Sequence, residues 1–276
     1  MSRDAAADDQ LTAALSADLA ARLRAAPQSV VIDDGWVVGN DRLAPVHLLN
    51  AIVLGTTAPL DDRRFDADVI EALTRRWQAE LPDHCVVIDD ESVARRLAVE
   101  LQERGWERQR TLFMALRSDP SAALRDARAR TLDEDELRSL QLTCLQQEVG
   151  GPGVANELPA LLADAQATLR ATTTSERFGA GQPGAEPASS CTLFLDADVG
   201  GRRVATVEAV ATLREQREQG LARAAVSMAL RAAGEWRADL IVVPVDADDW
   251  PQLMYASLGF RGLGRRWLFS RRAGSA

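Results

Sequence analysis

The sequence predicts a mixed α/β fold built from two similar halves. Short apolar runs bounded by turn residues alternate with longer segments of helical spacing, a pattern typical of strands that alternate with helices. A similar order of elements occurs twice along the 276 residues, which indicates an internal duplication. Hydrophobic side chains make up 46% and charged side chains 26% of the chain, enough for one large or two small globular domains.

The first half, residues 1–117, opens with a predicted packing helix. Leu11, Leu15, Leu19 and Leu23 lie four residues apart and therefore on one helical face. The order β-β-β-α-β-α-β follows, in the segments SVVID, WVVGN, HLLNAIVLG, DADVIEALTRRWQAEL, HCVVID, ESVARRLAVELQER and QRTLFMALR.

Turn and capping residues separate these segments. The DDG between the first two strands predicts a hairpin turn. The helix after HCVVID is expected to begin with Asp90 or Ser92 as its N-cap, because a side-chain oxygen there can accept from the first amides. It is expected to end at Gly105, because glycine accommodates the left-handed residue that follows a last helical turn.

Residues 118–130 are predicted to connect the halves, and residues 131–276 form the second half. Its first helix is expected to be capped by Thr131 or Asp133 and interrupted by GGPG at 150–153. A second helix follows, then the predicted loop FGAGQPGAEPASS and a hairpin around Gly200 and Gly201. The remaining order is the helix LARAAVSMALRAAGEW, the strand DLIVVPV, the helix WPQLMYASL and the strand RRWLFSR.

Charge and residue counts exclude several functions. The net charge is −9 and arginines are interleaved with acids, so we expect no nucleic-acid partner. The apolar runs are too short to cross a bilayer and the N-terminus is acidic, so we expect a cytoplasmic protein with no membrane partner. Three scattered cysteines and two histidines favour a reduced protein with no disulfide framework and no metal site.

A candidate phosphate site lies in the second half, where a predicted strand leads into the turn REQGLA and a helix follows directly. A helix N-terminus offers unpaired amides and a partial positive charge. Gly220 lets phosphate oxygens approach the backbone, Ala222 is too small to block them, and Arg217 and Arg223 add charge. Strand-to-helix turns with one glycine are common, so this pattern alone also fits an ordinary turn.

A second pattern accompanies this turn. Tyr255 is followed by Gly259 and Phe260 at the end of a predicted helix, just before the last strand. Together with the turn, this spacing resembles the GNAT superfamily, the acyl-CoA-dependent N-acetyltransferases. The resemblance covers residues 129–276, with the strongest match from Thr206 to Phe260, and the order of elements agrees with it. It implies a GNAT-like fold in two tandem halves, with acetyl-CoA as the co-substrate.

The resemblance also implies roles for individual residues. Val210, Ala211 and Thr212 would pair through their backbone with the pantetheine arm, and one amide there would face the thioester carbonyl. Tyr255 matches the tyrosine that protonates the departing thiolate in many members, and an ordinary pKa of about 10 keeps it protonated. Asp248 lies where the family often has an asparagine that contacts the cofactor, a bond that a carboxylate cannot donate. The residues that would bind the pyrophosphate are Arg217, Glu218, Gln219, Gly220, Leu221, Ala222 and Arg223.

Glu208 is the candidate base that removes a proton from the acceptor amine, directly or through a water. Strict alternation would place Glu208, Val210 and Thr212 on one face of the strand. A solvated strand residue is an equally good interpretation of Glu208. For Tyr255 the alternative is a core aromatic residue whose hydroxyl makes one structural hydrogen bond.

In the first half, TTAPLDDRRFDADV takes the place of the pyrophosphate turn, and ERGWERQR at 103–110 corresponds to LGFRGLGR. The helix entry there has no glycine and carries four aspartates, which would repel phosphate. We therefore expect a degenerate GNAT-like half that binds no CoA. Its expected tasks are to complete the sheet, to wall the acceptor cleft or to mediate a homodimer.

These observations predict an N-acetyltransferase that moves an acetyl group from acetyl-CoA directly to a primary amine of a small molecule or peptide. Cys191 has no evident base beside it, so a buried apolar role is expected rather than a covalent intermediate. The alternative is a non-catalytic acyl-CoA-binding or protein-interaction module, suggested by the missing turn of the first half and by Asp248. A transferase for longer acyl groups is a third hypothesis. The fold does not identify the acceptor.

Overall fold

The structure is a computed structural model that describes residues 3–56, 58–61, 64–120, 123, 125–149 and 157–273. The chain divides into two compact units. Unit 1 comprises Met1–Phe113, Val245–Asp249 and Gly262–Ala276, and unit 2 comprises Met114–Pro244 and Trp250–Arg261. The domain boundaries predicted from the sequence, at residues 117/118 and 130/131, concern which segments fold independently, and they stay a prediction.

Unit 1 contains a first helix followed by the order β-β-β-α-β-α-β, as predicted. The hairpin turn between its first two strands lies at Asp33 and Asp34, also as predicted. Two short 3-10 helices, Asp41–Leu43 and His47–Leu49, precede the third strand. The elements are α1 (Arg3–Ala25), β1 (Val30–Ile32), β2 (Gly35–Val38), β3 (Ala51–Leu54), α2 (Ala67–Trp77), β4 (Asp83–Ile88), α3 (Glu91–Glu103), β5 (Glu107–Leu116, as far as Phe113 in this unit) and, from Gly262 onward, β11 (Phe260–Arg272).

The strands of unit 1 direct alternate side chains into two apolar layers. β1, β2 and β3 are antiparallel neighbours, β3 and β4 are parallel, and β4 pairs antiparallel with β11. Ile52 and Leu54 pack with the apolar faces of α2 and α3. Ala51 and Val53 point to the other side and pack with Leu19 of α1. The leucine stripe of α1 is therefore a packing surface, as its spacing predicted.

Unit 2 contains the strands and helices of the second half. The hairpin of its two longest strands turns at Gly200 and Gly201, both with positive φ, as predicted. The predicted helix break at 150–153 lies outside the described residues. The elements are β6 (Ala129–Thr131), α4 (Glu134–Val149), α5 (Leu158–Thr172), β7 (Ser175–Ala180), β8 (Ser189–Val199), β9 (Arg202–Thr212), α6 (Leu221–Glu235), β10 (Leu240–Asp246, as far as Pro244 in this unit) and α7 (Pro251–Ser257).

Two strands of unit 2 were not predicted by the sequence pattern. β6 overlaps the end of the predicted connector at residues 129–130, and β7 includes Phe178–Ala180, which the glycine-rich pattern predicted to be a loop. β6 is too short to show an alternating pattern, and β7 mixes charged residues with a glycine. Both strands form because antiparallel neighbours pair with them, β7 with β6 and β8 with β7. A Cβ at Gly179 would lie 2.7 Å from Leu132 Cδ1, so close packing explains the glycine.

The strand order in unit 2 is β10-β9-β8-β7-β6, with β9 parallel to β10 and antiparallel to β8. α4 begins on the face of this sheet to which Arg177 of β7 points, because Arg177 Nη1 lies 3.7 Å from Glu134 Oε2 in the first turn of α4. α4 begins with a reciprocal cap, in which the Glu136 amide donates to Asp133 at 2.8 Å and the Asp133 amide to Glu136 at 3.0 Å. Of the two predicted N-cap residues, Asp133 is therefore the one used.

The ends of two corresponding helices support the internal duplication. Gly105 follows α3 with φ +80° and Gly259 follows α7 with φ +97°. Each glycine is followed by a buried aromatic residue, Trp106 or Phe260, that leads into a strand. Glycine suits both places because a left-handed residue ends the helix. The N-cap of α3 is Asp90, one of the two predicted candidates. Its carboxylate accepts hydrogen bonds from the amides of Ser92 and Val93.

None of the described helices combines the length and the apolar character needed to cross a membrane. The longest of them, α1 with 23 residues, carries several aspartates and arginines along its length.

Candidate functional site

The N-terminus of α6 is exposed and has no side-chain cap. Gly220 is its N-cap residue, with φ +75°, and no side chain of the described residues accepts a hydrogen bond from the first amides. These amides and the positive end of the helix dipole are therefore available to an anion. A helix of 15 residues provides the full dipole behind them.

The corresponding helix of unit 1 differs at this point. The N-cap of α2 is Asp66, whose carboxylate accepts from the Val69 amide at 2.9 Å. A carboxylate already lies where a phosphate would bind, and its charge would repel one. This contact gives a physical reason why the first half would bind no CoA, which stays a prediction.

The turn before α6 has a strained but well-supported backbone. Glu218 has φ +63°, a left-handed conformation that is uncommon for a residue with a side chain. Arg128 Nη1 donates to the Gln219 carbonyl oxygen at 2.9 Å, and Gln182 Nε2 donates to Gln219 Oε1 at 2.5 Å. These bonds hold the turn from the neighbouring loops.

Arg128 is a basic residue at this turn that the sequence pattern did not predict. Its Nη2 lies 3.7 Å from the position that a Cβ at Gly220 would take. Its Nε and Nη2 bond to both carboxylate oxygens of Asp126, at 3.0 and 2.7 Å, and these hydrogen bonds raise the pKa of Arg128 further. Arg128 is 91 residues from Gln219 and belongs to the predicted connector, so no spacing rule could associate it with the turn.

The predicted phosphate-binding arginines contact protein groups in this structure. Arg217 Nη2 lies 2.5 Å from Glu148 Oε1, and Arg223 Nη2 donates to Ser257 Oγ at 2.7 Å. Both hydrogen bonds are exposed, so a phosphate can compete for these guanidinium groups. Leu221 is buried in the core, which leaves only its backbone able to contact a ligand.

β9 and β10 are paired only over a short stretch. The parallel ladder joins Val204–Thr206 to Leu240–Val242 and ends there. β10 continues through Pro244, which has no amide to donate to a ladder. Val210, Ala211 and Thr212, predicted to pair with pantetheine, lie beyond the end of the ladder. Their backbone therefore borders the place where the two strands part.

A β-bulge interrupts β9 just beyond the ladder. Thr192 of β8 is opposite Glu208 of β9. Ser190 lies two residues before Thr192 on β8, but its partner Ala211 lies three residues after Glu208 on β9. β9 thus contains one extra residue, and Ala209 has φ +51°. Such a bulge bends the strand and redirects its backbone groups.

The bulge makes the predicted alternation of β9 wrong. Residues directly opposite each other share a sheet face, so Glu208 and Ala211 lie on one face with their partners on β8. Thr212 lies on the other face, where its hydroxyl donates to Ser189 Oγ at 2.9 Å. Glu208 therefore does not share a face with Thr212, because strict period-two alternation fails where one residue is inserted. Glu208 is half-buried on the face that α4 covers.

Tyr255 is buried, 4% exposed, in contact with Phe260 edge-on at 5.8 Å between ring centroids. Burial, and to a lesser extent Cys191, raises the pKa of its hydroxyl well above the ordinary value of 10. The hydroxyl therefore keeps its proton throughout the neutral range. Gly259 is required nearby, because a Cβ there would lie 2.5 Å from Ser118 Oγ.

A titration can read the state of Tyr255 directly, because it is the only tyrosine in the chain. We expect no tyrosinate absorption from the folded protein near pH 10, where an exposed tyrosine is about half ionised. Ionisation should accompany unfolding at higher pH, since a raised folded pKa makes stability fall as pH rises above the unfolded pKa. A spectrophotometric titration followed in parallel by circular dichroism measures both events. Half-ionisation near pH 10 with the fold intact would contradict this result.

None of the three cysteines has the environment of a nucleophile. All are buried, and burial raises the pKa of Cys85 to about 12 and that of Cys144 to about 11. Burial raises the pKa of the Cys191 thiol even further. Because the thiolate is the reactive form, these side chains are apolar packing residues, as predicted for Cys191.

Asp248, the predicted cofactor contact, lies in unit 1 and forms a two-bond ion pair with Arg110. Arg110 Nε lies 3.1 Å from Asp248 Oδ2, and its Nη2 contacts the other carboxylate oxygen. Hydrogen bonding from Arg110 lowers the pKa of Asp248, which keeps it ionised. An ionised carboxylate cannot donate the hydrogen bond of the family's asparagine. Its role at the cofactor stays a prediction.

In unit 2 a bulged strand parts from its parallel neighbour, and the turn that follows it ends at an uncapped helix N-terminus, which suits an anion. No protein-family model and no curated protein matches this chain. A GCN5-related N-acetyltransferase from Kribbella flavida superposes with a TM-score of 0.61 at 20% identity over 96% of each chain. A tandem GNAT protein from the clavulanic acid biosynthesis pathway gives 0.54 at 15% identity over 94% of this chain and 88% of that chain.

A conserved protein of unknown function from Staphylococcus epidermidis ATCC 12228 gives a TM-score of 0.69 at 12% identity, covering 89% of this chain and 94% of that one. At these identities the likeness establishes the fold. The chain has a GNAT-like fold made of two tandem halves, and the resemblance found in its second half is confirmed at that level.

Proposed function

We propose that this chain is an N-acetyltransferase that transfers an acetyl group from acetyl-CoA directly to a primary amine of a small molecule or peptide. The observation that carries the proposal is a succession of three features in unit 2. A bulged strand is followed by the end of its parallel pairing and then by the uncapped N-terminus of α6. Together they offer a backbone edge and an amide-lined anion site.

The anion site fits the diphosphate of CoA. The amides around residues 218–223 would donate to phosphate oxygens, and Gly220 allows close approach because it has no side chain. Arg128 adds a positive charge beside Gly220 and holds the Gln219 carbonyl, which keeps the turn in place. Arg217 and Arg223 would exchange their present partners for phosphate oxygens, since charge-assisted bonds to phosphate are stronger than exposed bonds to a hydroxyl.

The backbone edge of β9 fits the pantetheine arm. Val210, Ala211 and Thr212 lie beyond the ladder to β10, so an extended amide-containing chain can add to them as a strand would. The bulge at Ala209 turns the local backbone, and an amide beside it would stabilise negative charge on the thioester carbonyl oxygen. Acetyl-CoA supplies the activated acetyl group when it is bound.

Two side chains would handle protons. Glu208 accepts a proton from the acceptor amine, which must be neutral to attack. The Tyr255 hydroxyl donates a hydrogen bond to the departing sulfur. Because its pKa is raised by burial whereas that of a thiol is about 8.5, complete proton transfer to sulfur is uphill, and hydrogen bonding is its main contribution. Direct transfer is favoured because the cysteines are buried and protonated.

A thiol-release assay with a panel of primary amines tests the proposal. Wild type should release CoA in the presence of at least one amine. We expect Tyr255→Phe to lower kcat about 100-fold, the order of a lost hydrogen bond to charge that develops in the transition state, while its affinity for acetyl-CoA is unchanged. Calorimetry on the same variant is the control, because phenylalanine keeps the contact with Phe260.

The outcomes separate the proposal from its alternative. Acetyl-CoA binding without turnover on any amine would support the non-catalytic acyl-CoA-binding module instead. An absence of acetyl-CoA binding by wild type would contradict both functions. Unchanged kcat in Tyr255→Phe would remove Tyr255 from the mechanism and leave its alternative role as a core aromatic residue.

A further inference from the structure

Two buried hydroxyl groups of β8 have no hydrogen-bond partner among the residues that the structure describes. Ser190 and Thr192 are both 0% exposed, and within the described part of the chain neither side-chain oxygen has a partner. A buried polar group without a partner is unfavourable, and proteins usually satisfy such groups with protein atoms or an ordered water. These two hydroxyls therefore indicate a bound polar species.

Both hydroxyls adjoin the bulge of β9. Thr192 is directly opposite Glu208, and Ser190 is directly opposite Ala211, so the inserted residue lies between the two pairs. Opposite residues of antiparallel strands have Cβ atoms about 4.5–5.5 Å apart. The two hydroxyls and the carboxylate of the candidate base thus share one face of the sheet at one place.

The helix α4 carries another buried polar atom that has no partner among the described residues. Arg177, the β7 neighbour of Thr192, bonds to the backbone that leads into α4, which places α4 over this face. Gln141 of α4 is 2% exposed, and its Oε1 accepts from Arg170 at 3.0 Å. Its Nε2 has no partner among the described residues. An enclosed water typically makes about three hydrogen bonds, and the two hydroxyls with the Glu208 carboxylate are three groups that could make them.

We propose that Ser190 and Thr192 hold a water molecule beside Glu208, and that this water relays a proton from the acceptor amine to the Glu208 carboxylate. The inference rests on the proposed function and adds two positioning residues to it. One N–H bond of the amine breaks as an O–H bond to the water forms, and the water releases another proton to Glu208. The electron pair stays on nitrogen for attack, Glu208 becomes protonated, and the water is regenerated.

Thr192→Val and Thr192→Ser form a matched pair for the test, because valine keeps the shape of threonine without its hydroxyl and serine keeps the hydroxyl. With an amine that wild type accepts, we expect Thr192→Val to lower kcat about tenfold at neutral pH. This is less than the loss expected on removal of the base itself, because Glu208 remains. The difference in kcat between wild type and Thr192→Val should become smaller as the pH rises toward the pKa of the amine. A larger fraction of the amine is then already neutral and has no such proton to lose. Thr192→Ser should keep the wild-type pH profile, and KM for acetyl-CoA should not change.

Thermal unfolding gives a readout that needs no acceptor. If a water satisfies the hydroxyls, Thr192→Val breaks hydrogen bonds and lowers the unfolding midpoint. If nothing satisfies them, removing an unpaired hydroxyl raises it. A raised midpoint, or a Thr192→Val pH profile equal to that of wild type, would overturn the proposal. Should Thr192→Val fail to fold, Ser190→Ala must show the same pH-dependent loss. Failure of wild type to acetylate any amine would instead contradict the proposed function.

Discussion

Replacing Gly220 with glutamate is expected to weaken acetyl-CoA binding by at least about 100-fold, equivalent to about 2.7 kcal/mol. Gly220 is the N-cap of α6, where a diphosphate would meet the first amides. A carboxylate there would compete for those amides and oppose the helix dipole. It would also repel the phosphates, since two like charges about 4 Å apart near a protein surface repel by roughly 4 kcal/mol.

The variant should still fold, which makes the binding measurement interpretable. Among the described residues, a Cβ at Gly220 would meet only Arg128 Nη2, at the ordinary contact distance of 3.7 Å. Its left-handed backbone costs a residue with a side chain about 1–2 kcal/mol. Gly200→Glu is the matched control, because Gly200 has φ +60°, has no atom within 4 Å of an added Cβ, and lies at the opposite end of β9. Equal affinities of the two variants in calorimetry would show that the diphosphate binds elsewhere.

Replacing Arg266 with methionine is expected to lower the free energy of unfolding of unit 1 by about 3–5 kcal/mol. The Arg266 side chain is 4% exposed, and its Nε and Nη2 donate to both oxygens of Asp89, at 2.5 and 3.0 Å. Its Nη1 also contacts Asp18. Removing one partner of a buried ion pair leaves the other charge without compensation, which costs more than the pair itself contributes.

Arg265→Met is the control for this variant. Arg265 is the preceding residue of β11, but its side chain is 41% exposed and its ion pair with Glu91 is 3.5 Å long. Exposed ion pairs contribute about 0–1 kcal/mol, so this substitution should be nearly neutral. Denaturant unfolding followed by tryptophan fluorescence measures both variants, because the buried Trp106 and Trp267 belong to unit 1. Equal losses in the two variants would contradict the role of burial.

The stabilisation that Arg266 contributes should depend on pH. Burial would raise the pKa of Asp18, but the charges of Arg22 and Arg266 outweigh it and hold the pKa below its ordinary value of 3.8. A lowered carboxylate pKa contributes stability above the unfolded pKa, and that contribution disappears as pH falls. The difference between wild type and Arg266→Met should therefore be largest at neutral pH and should narrow below about pH 4.

The order of elements follows from local patterns that the sequence displays directly. Leu19 belongs to a four-residue repeat, and Asp90 precedes a helical run as a capping residue, so each indicates its element without any distant contact. The turn at Gly220 was also predictable, because a glycine between a strand and a helix is a local backbone requirement. The pairing of a glycine with a following aromatic residue at the ends of α3 and α7 is local as well.

Features that depend on a neighbouring strand were not predictable in this way. β6 and β7 have weak strand patterns and form because of the strands beside them. The bulge at Ala209 is visible only from the register of β9 against β8. It places Thr212 on the opposite face of the sheet from Glu208, whereas strict alternation predicted the same face. Arg128 reaches the phosphate turn from a segment that the sequence suggested was only a connector.

Arg265 and Arg266 show most clearly which features follow from the sequence alone and which require the tertiary structure. Adjacent residues of a strand point to opposite faces, so the sequence by itself determined that these two arginines would differ in environment. Which of them is buried was decided by the tertiary structure, since Asp89 and Asp18 lie 177 and 248 residues earlier in the chain. Periodicity and turn chemistry are properties of neighbouring residues, whereas burial and charge compensation arise only when distant segments pack together.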